Sequence, residues 1–64
     1  MDTATLKQIS YIQFLMEKAN IENSINFIET KTMKAFGGDW GRVSSRGASR
    51  VIDSLKKIIE ERQK

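Results

Sequence analysis

The chain has 64 residues, of which 30% are charged, with a net charge of +3 and no cysteine, histidine or proline. A chain this short makes one domain at most and buries only about 60% of the surface that its unfolded form exposes. The missing Cys and His exclude disulfides, zinc-finger sites and haem ligation, and they remove the usual general base and the best nucleophile.

The opening Met1-Asp2-Thr3 lacks the basic and apolar regions of a signal peptide. No run approaches the ~18 apolar residues of a membrane span. A cytoplasmic location with no membrane partner is therefore expected, and the lack of Cys fits a reducing compartment. The first segment then runs from Thr3 to about Ala19 on the period of an amphipathic helix. Leu6, Ile9, Ile12, Leu15, Met16 and Ala19 recur at intervals of three or four. Asp2 or Thr3 would cap it, and Asn20 and Asn23 bracket the break that follows.

Around the other side of this helix run Lys7, Tyr11, Phe14 and Lys18, spaced i, i+4, i+7, i+11. Two aromatics between two lysines have a bland explanation, in which the helix is central and buries a second side. The sharper one is a recognition stripe that stacks on bases or docks a partner helix. A dimer contact is the third.

The second segment starts near Asn23 or Ser24 and is expected to reach Gly37-Gly38, which would end it in the left-handed conformation. Ile25, Ile28, Ala35 and Phe36 share a face, with Thr32 among them, and Phe27 lies off it beside Lys31 and Lys34. Thr30 and Thr32 weaken helix propensity, so the C-terminal half is expected to be loose. Lys31 and Lys34 fall in or near the last turns, where the helix dipole favours cations; a binding role competes with that structural one.

The connector Gly37-Gly38-Asp39-Trp40-Gly41-Arg42-Val43 is not a phosphate loop, because no Lys-Ser/Thr pair follows the glycines and no strand precedes them. Trp40 reads as a core anchor or as a stacking platform. The third segment, Ser45 to about Arg62, carries the cleanest apolar stripe: Ala48, Val51, Ile52, Leu55, Ile58 and Ile59. Ser44 is its natural N-cap. Asp53–Lys57, Lys56–Glu60 and Lys57–Glu61 are spaced for i, i+4 pairs, and Arg62-Gln63-Lys64 are expected to fray. Arg46 and Arg50 sit one turn apart near its start, where the dipole disfavours cations, so the helix itself gains nothing from them. Together the segments read as an all-α fold, a small three-helix bundle with a Gly-rich turn between the second and third helices.

Charge is polarised along this chain. Residues 31–50 carry five cations (Lys31, Lys34, Arg42, Arg46, Arg50) against one anion, Asp39, whereas residues 1–30 carry two cations against four anions. Such polarity suits an acidic partner, either nucleic acid or an acidic peptide. No pair of carboxylates stands at a catalytic spacing, so no enzyme activity, cofactor or metal is expected.

The stretch LKQISYIQFLMEKANI resembles the pattern T-x-x-Q-x-x-x-I-x-x-L…G, and VSSRGASRVIDSLKK resembles L-T-x-x-E-A-S-x-x-I-D-x-L-K. The pair is similar to the C-terminal helical module of GemA-type phage regulatory proteins, and similar modules trail phage single-strand annealing recombinases. The matched positions are Gln8, Ile12 and Leu15 in the first block and Ala48, Ser49, Ile52, Asp53, Leu55 and Lys56 in the second; the two blocks cover about half of the chain. The resemblance implies a phage or mobile-element origin, a bacterial host cell, a role around DNA metabolism and no catalytic residue. One departure is Gly47, where the pattern has the Glu of a capping box. A late helix start is expected from it, with residues 45–47 as flexible backbone.

Two functions are consistent with these readings. In the first, Arg42, Arg46, Arg50, Lys31 and Lys34 contact the phosphates of nucleic acid, and Trp40 or Tyr11 stacks on a base. Single-stranded or structured DNA suits it better than a read major groove, because the third helix offers few base-reading residues beyond Ser45, Arg46 and Ser49. In the second, the chain is an adaptor or inhibitor whose basic face docks a host or phage protein, with Tyr11, Phe14 and Trp40 as hot spots. A homodimer through the stripe of the third helix is compatible with both.

Overall fold

Thr5 starts the first helix. Its Oγ1 accepts a hydrogen bond from Gln8 N at 3.1 Å, and Gln8 Oε1 accepts one from Thr5 N at 3.0 Å. This reciprocal capping box satisfies two otherwise orphaned amides, and it places the cap at Thr5, beyond the expected Asp2 or Thr3. The computed structural model describes residues 2–63, in which α1 spans Leu6–Lys18, α2 Ser24–Thr32 and α3 Ser45–Arg62, with a 3-10 turn at Trp40–Arg42. Met1 and Lys64, and with them part of the expectations for the two termini, lie outside the described residues. The architecture is the expected all-α three-helix bundle.

The end of α1 follows from Asn20, which takes φ 57°. Asn is among the few non-glycine residues that visit this left-handed region readily. Asn20 N then donates to Glu17 O at 3.2 Å and Ile21 N to Met16 O at 3.0 Å, a Schellman closure. Ile21 packs on the core from just past the helix. Asn23 caps α2, accepting from Asn26 N at 2.9 Å.

α2 is shorter than expected. It stops at Thr32 rather than at the glycines, with Met33 in the left-handed region at φ 60°. The Thr32 hydroxyl turns back to donate to Ile28 O at 2.7 Å. Glu29 then captures the reversed chain, its Oε2 accepting from Phe36 N at 2.9 Å and Gly37 N at 3.3 Å. Ala35 and Phe36 therefore leave the helix: Phe36 is driven into the core and Ala35 is exposed. The glycines serve the turn after it, at φ 58° and 85°, where Asp39 N donates to Phe36 O.

α3 is the element on which both α1 and α2 pack. Ala48, Val51 and Leu55 are fully buried along it, and Ile52, Ile58 and Ile59 flank them. From α1 come Ile12, Leu15 and Met16, with Ala19 at its C-cap; from α2 comes Ile28; Phe36 and Val43 of the connector complete the core. Leu6, at the first helical position, is 82% exposed and lies outside that core, contrary to its place in the apolar pattern. Ile25, grouped with Ile28 in the sequence, is also exposed.

Two ties lock α1 along α3. Gln8 Nε2 donates to Ser45 O at 3.2 Å, next to the start of α3, and the Arg62 guanidinium donates to Ala19 O at its far end. Arg62 is thus anchored by a helix C-terminus whose carbonyls favour a cation, and the expected fraying does not begin at this residue. The i, i+4 pairs expected on α3 do not form. Among the described residues the ion pair within 4 Å is Arg42–Asp39, and Lys56 lies over the Tyr11 ring, 5.7 Å from its centroid.

Candidate nucleic-acid interface

The start of α3 is built by a serine and a glycine. Ser44 Oγ accepts from Gly47 N at 2.9 Å, and Ser44 O accepts from Ala48 N at 2.8 Å. The helix consequently begins at Ser45, and residues 45–47 form its first turn instead of the expected flexible backbone. A Cβ on Gly47 would stand 3.3 Å from Thr32 Cγ2 and 3.2 Å from Ser44 Oγ. The missing side chain therefore has a packing reason: the last residue of α2 lies against the first turn of α3, where a Cβ at position 47 would crowd Thr32 and Ser44.

That close approach shapes a hollow of about 160 Å³, lined by Thr32, Lys34, Arg42, Val43, Ser44, Arg46, Gly47 and Arg50. Four of the eight lining residues are cations and none is an acid. Each cation arrives by its own route. Arg46 and Arg50 are one turn apart on α3, Lys34 follows the reversal at Met33, and Arg42 closes the 3-10 turn. The Asp39 side chain sets that turn by accepting from Gly41 N at 3.0 Å.

Electrostatics at the hollow are almost one-signed. Arg42 Nε lies 3.6 Å from Asp39 Oδ2, with both side chains 64% exposed; a surface pair of this kind is worth about 0–1 kcal/mol and exchanges readily. Arg46 and Arg50 are exposed and make no ion pair among the described residues. The first turn of α3 carries no acidic residue, so its positive dipole end adds to the side-chain charge. Asp2 does reach α3, accepting from the Ser45 hydroxyl, but neither residue lines the hollow.

The expected site residues thus divide. Lys34, Arg42, Arg46 and Arg50 come together. Lys31 does not join them; it remains in the last turn of α2, 5.5 Å from the Phe27 ring centroid. Trp40 is half-buried and meets Phe36 edge-on at 4.9 Å between centroids, so it anchors the connector and does not line the hollow. Lys7, Tyr11, Phe14 and Lys18 lie along α1 on an exposed side, which corrects the bland explanation that α1 is the central helix. Phe14 is 56% exposed with Lys18 Nζ 5.6 Å from its centroid, and with Glu17 these two border a shallow depression. Thr32, Val43, Ser44 and Gly47 are the lining residues that charge reasoning missed. The signal for Ser44 and Gly47 was the cap itself, which puts amides and a hydroxyl beside Arg46.

No metal-binding group of three or more His, Cys, Asp or Glu residues occurs among the described residues, and no described helix is long and apolar enough to cross a membrane. No family model, curated protein or solved structure gives a significant match to the chain.

Proposed function

We propose that this chain is a non-enzymatic nucleic-acid-binding module that holds phosphates at the hollow between the end of α2 and the start of α3. The observation that carries the reading is the convergence of Lys34, Arg42, Arg46 and Arg50 on one concavity with no acid in its lining. Cations on a helix N-terminus oppose the dipole, so Arg46 contributes more to an anionic ligand than to its own helix. Guanidinium forks suit phosphate oxygens. Single-stranded or structured DNA is the favoured ligand, since the exposed face of α3 offers few base-reading side chains.

Two contacts support the likeness to the GemA-type module and, with it, a phage protein at work in the cytoplasm of a bacterial host. Gln8, a matched position of the first block, completes the capping box with Thr5, and its Nε2 stands 3.4 Å from Ser49 Oγ of the second block. The two halves of the pattern therefore meet in space.

Fluorescence anisotropy with labelled single-stranded, hairpin and duplex DNA, across a salt series, tests the proposal. Binding should weaken steeply with salt, with a logarithmic slope of about −0.7 per phosphate neutralised on a single strand. Arg46→Gln with Arg50→Gln should flatten that slope by roughly two contacts. Absence of binding at micromolar protein in low salt would refute it.

The exposed Phe14, bordered by Lys18 and Glu17, favours a second reading in which α1 docks a protein. A pull-down from nuclease-treated lysate separates the two: a stoichiometric protein band lost in Phe14→Ser and kept in Arg46→Gln speaks for the adaptor.

A further inference from the structure

The hollow gathers its cations on one concavity, and that convergence narrows its ligand. An internal phosphodiester carries one negative charge, and a strand presents such groups in a row, which a stripe of cations would serve best. Here four cations line one depression, together with Ser44 and Gly47 at the start of α3. A phosphate monoester carries about −1.5 to −2 charges near neutral pH and offers three strong acceptor oxygens. It is the nucleic-acid group whose charge and acceptor count match several convergent donors.

Size points the same way. At about 160 Å³ the hollow has room for several waters at ~30 Å³ each, enough for a phosphoryl group with part of its hydration. Pockets that enclose whole small-molecule ligands run to roughly 300–1,000 Å³, so the hollow does not enclose a nucleoside. Thr32 also lines it, but its hydroxyl already donates to Ile28 O. Gly47 lines it too, but its amide already donates to Ser44 Oγ. The recognition is thus left to the cationic side chains, which read charge and geometry and leave the base unread.

We infer that the hollow is a seat for the terminal phosphate monoester of a nucleic-acid strand, so that the module binds strand ends in preference to strand interiors. This rests on the nucleic-acid reading above and sharpens it.

The test compares one labelled single-stranded oligonucleotide in four forms: 5′-phosphorylated, 3′-phosphorylated, hydroxyl at both ends, and circularised. One or both phosphorylated forms should bind at least about tenfold tighter than the hydroxyl-ended and circular forms, the scale of one added charge-assisted contact. Which end gains identifies the source of the monoester. Arg46→Gln and Arg50→Gln, at exposed positions outside the core, should abolish the difference while leaving the helical circular-dichroism signal unchanged. Lys34→Gln, on the segment that follows α2, should reduce it independently. Equal binding of all four forms overturns this inference and leaves the nucleic-acid reading standing. A preference for phosphorylated ends that survives the arginine substitutions puts the monoester elsewhere and also overturns it. No binding of any form overturns both.

Discussion

The Glu29 carboxylate accepts the Phe36 amide at 2.9 Å, seven residues further along the chain. With the second bond from Gly37 N at 3.3 Å, this one side chain holds the reversal that sends Phe36 into the core and leaves Lys34 on the rim of the hollow. Glu29→Ala should lower stability by about 1–2 kcal/mol, the cost of two unpaired backbone donors in a partly buried turn. Glu29→Gln changes charge identically and keeps an acceptor, so it should recover most of the loss. Urea denaturation of the pair separates hydrogen bonding from charge, and equal losses would remove the role assigned to Glu29.

That contact also marks the limit of what the sequence discloses. The core face of α3 was legible because its apolar residues keep a helical period from Ala48 to Ile59, whereas Gly47 misled the reading of its first turn. α2 was legible at its start, where Asn23 is a good cap, but not at its end. Helical spacing continued through Ala35 and Phe36, and only a long-range competitor, Glu29, redirected them. The site divided for the same reason. Arg42, Arg46 and Arg50 follow the connector and α3, which the sequence places well, whereas Lys31 and Lys34 parted company at a stop that spacing did not show. Trp40 was ambiguous in the sequence because its partner, Phe36, was assigned to a helix.

Met33 closes α2 at φ 60° with its side chain 84% exposed. A left-handed conformation costs a residue with a Cβ about 1–2 kcal/mol, and the exposed side chain returns little by burial. Glycine removes that strain but loses more backbone freedom on folding, by roughly 0.5–1 kcal/mol. Met33→Gly should therefore stabilise by about 0.5–1 kcal/mol, a rise in Tm of roughly 2–8 °C for a domain this small. Met33→Val, β-branched and intolerant of positive φ, should destabilise. A lower Tm for the glycine variant would contradict the left-handed cap.

Gln8 serves two helices at once. It completes the capping box with Thr5, and its amide nitrogen donates to Ser45 O across the interface with α3. Gln8→Ala removes both functions and should cost about 1–2 kcal/mol. Ser49→Ala removes only the long 3.4 Å contact and should fall within about 0.5 kcal/mol of the parent, as exposed surface changes do. If the two substitutions cost the same, the tie to Ser45 contributes nothing.

Thr32 and Gly47 face each other where α2 meets α3 beside the hollow, and their coupling is measurable. Replacing Gly47 with Ala improves helix propensity by up to about 1 kcal/mol, yet the new Cβ would lie 3.3 Å from Thr32 Cγ2, tighter than comfortable van der Waals contact. Thr32→Ser deletes that methyl and keeps the hydroxyl that bonds Ile28 O. Gly47→Ala should therefore be more favourable in the Thr32→Ser background than in the parent, by about 0.5–1 kcal/mol of interaction energy in a double-mutant cycle. The same crowding would press the end of α2 away from Arg46 and Arg50, so the single Gly47→Ala variant should also bind single-stranded DNA more weakly while the double variant recovers. Additive stabilities with unchanged binding would mean that the glycine is not what brings the two helix ends together.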